Sequence, residues 1–342
     1  MNAGRAPKMK DVADRCGVSE STVSHVLNGT KKVALTTRQK IEKVISELNY
    51  HRDSDARRLA RGKSNFLGLI ISDIENPFYP GLIKAFESSA IELGYEMLLC
   101  TTNYDQKRTE SAFRKMVENK APGVAVMTSR IEAKMSQYLA DQKIASVFLD
   151  SSKPSYLKSN LRIDYTRGAR GGVNYLYNLG HRDFAMVAGP QSRASHVAYR
   201  NAVDQALKDW KLVPRVVEGN NGIEGAGKAV QGLLTAKERP TAILCSNDFT
   251  AMGVIRSLAT FGIRVPADIS VVGADDIPFA ALTTPSLTTI RIPREQLGTV
   301  AMQTLHQMLT KPAKAGTESI LETELVIRES TATVSSAFAT KE

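Results

Sequence analysis

The chain has 342 residues, length enough for two or three domains with ample core. Its 42% hydrophobic and 23% charged content is that of a soluble globular protein, and it holds no apolar run near the roughly eighteen residues a membrane helix needs. The net charge of +10 is unevenly spread: residues 1–63 hold fourteen Lys or Arg against seven Asp or Glu, so a basic terminal module precedes a nearly neutral body.

The polar start MNAGRAPKMK is not that of a signal peptide, and Cys16, Cys100 and Cys245 lie far apart without metal-ligand spacing. We therefore expect a cytoplasmic protein without metal or cofactor, with no membrane partner and no catalytic residues. The segment Met9–Asn28 reads as two short amphipathic helices joined at Gly17, a helix-turn-helix. Ala13 is small where the helices must approach, Gly17 supplies a positive φ, Val18 plugs the core and Ser19 caps the second helix. Val12, Val23 and Val26 form the buried faces, and Glu20, Ser21, Ser24 and His25 point outward. Thr36–Leu48 carries Ile41, Val44, Ile45 and Leu48 at helical spacing, a third helix ended by Tyr50. Asp53–Lys63 is helix-capable but has too little apolar surface to be stable alone, so a flexible linker is the competing reading.

From Phe66 onward strands and helices alternate. Strands are expected at Phe66–Ser72, Met97–Thr101, Val124–Thr128, Ile144–Asp150, Phe184–Ala188, Val216–Glu218, Ala242–Ser246 and Ile269–Ala274. Helices are expected from Asn76-Pro77 to Gly94, then at Gln106–Glu118, from Asp164 to Gly180, and at Ser195–Trp210, Glu224–Thr235 and Phe249–Phe261. Two such runs imply two doubly wound lobes with parallel sheets and right-handed crossovers. Ligands of open sheets sit beyond the carboxyl ends of the strands. That points to Ser72-Asp73, Thr128-Ser129, Asp150, Gly189-Pro190, Asn247-Asp248 and Asp275-Asp276.

Several short motifs resemble, in order, those of the lactose-repressor (LacI/GalR) family of bacterial transcription regulators. They include Asp11-Val12-Ala13, Gly17-Val18-Ser19, Thr22-Val23-Ser24, Leu27-Asn28-Gly29, Ala56-Arg57-Arg58-Leu59, Asn76-Pro77-Phe78-Tyr79, Gly180-His181-Arg182, Asn247-Asp248 and Ser270-Val271-Val272-Gly273. The resemblance runs from Met9 to about Thr331. It implies an all-α helix-turn-helix headpiece (residues 8–51), a hinge helix (52–63), and an α/β effector domain (64–331) of two doubly wound lobes, like periplasmic binding proteins. One lobe would span about 64–163 plus 292–322, the other about 164–291 plus 323–331, leaving 332–342 as a tail. It further implies a homodimer on double-stranded operator DNA with inverted half-sites, most simply as a repressor controlled by a small-molecule effector.

Carried over position by position, the base-reading residues are Glu20, Ser21 and His25. Glu accepts from cytosine N4 and His donates to a guanine acceptor. Ser19, Thr22, Ser24, Asn28 and Thr37 suit phosphate contacts, and the hinge pattern places Leu59 as a minor-groove wedge beside Ala56 and Arg57. Two departures stand out: Arg52-Asp53 replace the usual Pro-Asn before the hinge, and Ala34 replaces the serine that caps the third helix, which leaves Thr36 to cap it. In the effector cleft the matching residues are Ser72, Phe78, Tyr79, Ser129, Asp150, Asn247 and Asp275. Tyr199 occupies the position of a customary arginine, with Arg200 turned about 100° away on the helix. Asn221 and Ala274 also depart from the pattern and imply a roomier pocket. Without that arginine, a carboxylate or phosphate lacks its bidentate partner, so a neutral sugar, polyol or nucleoside is expected. Arg130, Arg193 or Arg200 swinging inward would reverse that preference.

Three features compete with this reading. Gly222–Ala229 nearly spells a phosphate-binding P-loop but has Ala229 where magnesium needs a hydroxyl, so a glycine-rich turn is expected. Asp275-Asp276 as an acid–base pair and Ser195-His196 as a nucleophile–base pair are weaker readings than ligand bonding and a helix start. A solute-binding protein would explain the lobes but not the helix-turn-helix. A regulator answering to a corepressor or protein coeffector remains open, since the sign of allostery is invisible in sequence. The segment after Ser330 has no leucine heptads for a tetramerisation bundle.

Overall fold

The computed structural model describes residues 7–29, 31–50, 64–128, 133–150, 153–220, 222–235, 239–311 and 315–334. Two compact units emerge, residues 1–64 and 65–342.

The first unit contains α1 (Met9–Cys16), α2 (Glu20–Asn28) and α3 (Leu35–Glu47). Gly17 ends α1 at φ 66°, and its neighbour Val18 donates its backbone N–H to the Ala13 carbonyl at 3.0 Å. That αL turn suits glycine because any Cβ there is strained. Val12, Ala13, Cys16, Val23, Val26, Ile41, Val44 and Tyr50 form the core. Each large side chain buried there contributes roughly 1.5–3 kcal/mol. One expectation fails: α3 starts at Leu35 behind Ala34, which makes no side-chain cap, so Thr36 lies inside the first turn and does not cap it.

The second unit has two parallel-stranded sheets. Its elements are β1 (Phe66–Ile71), α4 (Phe78–Glu92), β2 (Glu96–Thr101), α5 (Gln106–Glu118), β3 (Gly123–Met127), α6 (Ala133–Asp141), β4 (Ala145–Leu149), β5 (Lys158–Asp164) and α7 (Thr166–Asn178). They continue with β6 (Phe184–Ala188), α8 (Ala194–Lys208), β7 (Arg215–Glu218), α9 (Ile223–Leu234), β8 (Ala242–Cys245), α10 (Asp248–Thr260) and β9 (Ser270–Asp275). A 3-10 turn (Pro278–Ala281), β10 (Thr288–Arg291), α11 (Arg294–Thr310), β11 (Glu318–Glu322) and β12 (Glu324–Val326) complete the unit. One sheet runs β11-β5-β4-β3-β1-β2 and the other β12-β10-β9-β8-β6-β7. All neighbours are parallel except β10 and β12. The chain passes between sheets three times, after Asp164, Arg291 and Glu322.

The sequence pattern missed α6 and β5, and it assigned no element after β9, so β10, α11, β11 and β12 come from the structure alone. α6 has nine residues, with Met135 and Leu139 buried, too few for a periodic signal. β5 reads KSNLRID, and its buried Ser159 and Asn160 hide the strand, Asn160 Nδ2 donating to Glu318 Oε1 at 3.0 Å. Residues 332–334, the start of the expected tail, bond to the body: Val334 N donates to the Leu179 carbonyl, and His181 Nε2 lies 3.0 Å from the Ala332 carbonyl oxygen.

Candidate functional site

In the first unit the candidate surface is the start of α2. Ser19 Oγ accepts from the Thr22 backbone N–H at 3.2 Å and lies 2.8 and 2.9 Å from the hydroxyls of Ser21 and Thr22. The cap satisfies an otherwise orphaned donor and gathers three hydroxyls at a helix N-terminus, where the dipole favours anions such as phosphate. Glu20 and Ser21 are exposed, whereas Ser24 and His25, expected to point outward, are half-buried. Thr37 lies in the first turn of α3, half-buried. Asn28 closes α2, and its side chain falls outside the described residues, as do Ala56, Arg57 and Leu59.

In the second unit the parallel strands end on a common cleft. Beyond β1, Ser72 Oγ lies 2.7 Å from Thr128 Oγ1, a side chain that follows β3. Phe78 and Tyr79 open α4, both buried and edge-to-face at 5.4 Å. The Tyr79 phenol is raised far above its usual range by burial, with Ser72 and Tyr104 as hydrogen-bond partners. Asp150 follows β4 at φ 45°, and its Oδ1 accepts from the Ile163 N–H at 2.9 Å. Its Oδ2 is buried without a partner among the described residues. Burial pushes this carboxyl up to about 6, against the opposing pull of the Ile163 bond and of Arg162. Ser129 falls outside the described residues.

From the second sheet come Asn247, Asp275 and Tyr199. Asn247 caps α10, its Oδ1 accepting from the Thr250 N–H at 2.8 Å. Asp275 ends β9 at φ 114°, and burial followed by the nearby Asp248 charge raises its carboxyl well above normal, opposed by Arg294. Tyr199 is 2% exposed on α8, and its hydroxyl has no partner among the described residues. Arg200, the next residue, pairs with Asp204 at 3.7 Å beside a separate recess of about 220 Å³ that His196 also lines.

Sequence reasoning missed Tyr165 and, although it named Asp248 and Arg193, did not show what they would bind. Tyr165, at the first passage between lobes, lies 5.8 Å from Tyr199, and burial, then the charges of Asp150 and Asp275, hold its phenol protonated. Its place directly after a strand-to-helix junction was the available signal, lost with β5. Asp248 is fully buried, accepting from Thr289 Oγ1 at 2.5 Å and from the Ile277 N–H at 2.8 Å. Arg193 lies over the Tyr104 ring, 3.5 Å from its centroid. Asp150 and Tyr165 line a recess of about 360 Å³ with Ala194 and Ala198 of α8.

The competing features are structural. Asp276 is an ion-pair hub, receiving Arg291 at 2.7 Å and Arg328 at 2.6 Å, so it is no acid–base partner of Asp275. The near P-loop is the start of α9, where a Cβ on Gly225 would collide with the Gly219 carbonyl. His196 packs against Gly189, and burial pushes its imidazole down to about 4, so it is neutral beside Ser195. No group of His, Cys, Asp or Glu among the described residues is arranged to hold a metal, and no helix there is long and apolar enough to cross a membrane.

The chain matches two family models: bacterial regulatory proteins of the lacI family over residues 8–53, and the periplasmic binding protein-like domain over residues 173–331. The HTH-type transcriptional repressor PurR of Proteus mirabilis is 33% identical over 329 residues, covering 95% of this chain and 96% of the relative. The HTH-type transcriptional regulator DegA of Bacillus subtilis is 32% identical over 332 residues, covering 94% and 97%. Among solved structures, the lac repressor dimer bound to operator and the anti-inducer ONPF superposes with a TM-score of 0.87 at 27% identity, covering 96% of this chain and all of that one. The transcriptional regulator CelR in complex with cellobiose gives a TM-score of 0.72 at 25% identity, covering 95% and 99%.

Proposed function

Because the chain belongs to the lacI family of bacterial regulatory proteins, we propose that it represses transcription as a homodimer on an inverted-repeat operator, under control of a small molecule bound in the cleft of residues 65–342. The observation that carries the first half is the Ser19-capped N-terminus of α2, with exposed Glu20 and Ser21, on a strongly basic unit. Hydroxyls and backbone N–H groups there fit phosphates and fix register, leaving Glu20, Ser21 and His25 to read base edges. Two-fold symmetry of the protein would be mirrored in the site.

The cleft supports the second half. Ser72, Phe78, Tyr79, Asp150, Asn247 and Asp275 stand at strand ends or first helical turns from both sheets, so one molecule touching both would favour a closed arrangement. Tyr199 in place of an arginine argues for a hydroxylated, ring-containing ligand without carboxylate or phosphate. Neither homologous regulators nor the site's chemistry supports an enzyme.

The test is fluorescence anisotropy on labelled duplexes at several salt concentrations. Binding to one inverted repeat, selected from random DNA, should exceed binding to scrambled DNA by at least about a thousandfold and fall steeply with salt. Equal affinity for both would rule out specific regulation.

A further inference from the structure

Away from the cleft, one surface of the second lobe holds three stacked side chains. The Tyr177 ring on α7 stacks on the Trp210 indole just past the end of α8, with centroids 3.8 Å apart and planes 18° from parallel. The Arg182 guanidinium, before β6, lies over the same ring, its central carbon 3.6 Å from the centroid. Two groups at that height cannot share one face, so Tyr177 is held between them. Trp210 Nε1 donates to Asn174 Oδ1 at 2.7 Å, and Arg170 pairs with Asp209 at 3.1 Å. Arg170, Asn174 and Tyr177 form one stripe of α7 at helical spacing.

The stack stays open to water: Trp210 is 38% exposed, nearby Val213 is 84% exposed, and Arg182 is exposed. Large aromatic surface fixed in place and left in water marks interaction sites. Arg182 is fixed as well, its Nη1 donating to the carbonyls of Tyr177 and His181 at 2.8 and 2.9 Å. Its Nε and Nη2 have no partner among the described residues. Those two nitrogens make up one edge of the guanidinium fork, which grips a carboxylate through two parallel bonds. Groups already held in place lose little freedom on binding.

Charge points the same way. Residues 170–183 and 207–215 hold five Lys or Arg against Asp183 and Asp209, and Asp209 is taken by Arg170. Residues 64–342 as a whole are nearly neutral, so positive charge is concentrated here.

We propose that this surface docks an acidic segment of a partner protein, with an Asp or Glu carboxylate on the Nε–Nη2 edge of Arg182 and an apolar side chain against Trp210. Trp, Tyr and Arg are the side chains that dominate binding in protein interfaces, and the cations around them steer an acidic partner inward. Tyr177 is covered on both faces and cannot stack a base, which favours a peptide over single-stranded nucleic acid. The proposal goes beyond the small-molecule reading and does not depend on it, since none of these residues belongs to the cleft.

Trp210 is the only tryptophan of the chain, so its emission reports on this surface. Peptides selected on the full chain from a random displayed library are labelled and titrated, with tryptophan emission and label anisotropy read together. Those that change the emission should place Asp or Glu beside an apolar residue and bind at micromolar concentration. They should weaken at least about threefold between about 0.1 and 0.5 M salt. Arg182→Lys keeps the charge but loses the fork and should weaken binding about tenfold, as should Trp210→Ala. Both variants should keep the circular dichroism of the wild type. Should Arg182→Lys fail to fold, Trp210→Ala and the charge reversal Lys211→Glu decide. Selection of neutral or basic peptides, no peptide that changes the emission, or full affinity in Trp210→Ala overturns the proposal. A single-stranded oligonucleotide that changes the emission as strongly as the acidic peptides overturns it in favour of nucleic acid. A smaller particle in light scattering for Trp210→Ala overturns it in favour of a second copy of this chain.

Discussion

The Arg193 guanidinium lies over the Tyr104 ring, its central carbon 3.5 Å from the centroid, and so joins the N-terminus of α8 on the second sheet to the loop after β2 on the first. A contact that spans two lobes acts as a latch, because it exists only when they are close. Burial raises the Tyr104 phenol while Arg193 pulls it back, so the ring is neutral and accepts the cation. We expect Arg193→Ala to weaken ligand binding by about three- to tenfold through a less populated closed form, without lowering the melting temperature by more than a degree or two. Titration of the ligand into wild type and variant measures this, and equal affinities would mean the contact does not favour closure.

The Asp150 carboxyl, raised to about 6 by burial, makes stability depend on pH. Between pH 4 and 6 the folded chain keeps a proton that the unfolded chain has released, so stability falls as pH rises through that window. Above it the ionised, buried carboxylate costs up to about 3 kcal/mol. Asp150→Asn should therefore raise the melting temperature at pH 7.5 and flatten its pH dependence between 4 and 6. A variant melting lower than wild type at pH 7.5 would count against burial as the dominant cause.

Asp276 behaves in the opposite sense. Burial pushes its carboxyl up, but the bonds from Arg291 and Arg328 outweigh it and hold the group below its usual value. Its contribution is present above the ordinary carboxylate range and is lost as pH falls through the lowered value. Removing it would strand Arg328, whose side chain is only 18% exposed. We expect Asp276→Ala to cost about 2–4 kcal/mol at pH 7, read by urea unfolding, and much less at pH 3. An equal loss at both pH values would refute the ionic origin.

Ser19→Ala removes the cap on α2. A cost of about 1 kcal/mol in headpiece stability is expected, together with weaker operator binding that is uniform across sequences, because phosphate contacts carry no sequence information. Glu20→Ala should instead leave stability unchanged and relax the preference at one base position. A shift in sequence preference from Ser19→Ala would reverse these roles.

Local chemistry alone determined much of this protein. A turn that needs positive φ selects Gly17, the helix start after it selects Ser19, and apolar residues at helical spacing mark the faces that pack around Ile41. The alternation that produced most of the strands and helices is equally local, since period and turn residues are written in consecutive positions. Strands such as β5 are invisible by that route, because Ser159 and Asn160 are buried through bonds to α11 and β11, about 150 residues away in sequence. The same distance hid Tyr165, whose importance comes from Asp150 on one sheet and Asp275 and Tyr199 on the other. It also hid the fate of neighbours: Asp275 and Asp276 are adjacent, yet one lacks an ion partner among the described residues and the other anchors two arginines. Which charges meet which is decided by how the sheets exchange strands, and a carboxylate's burial and counterion exist only once that exchange is made.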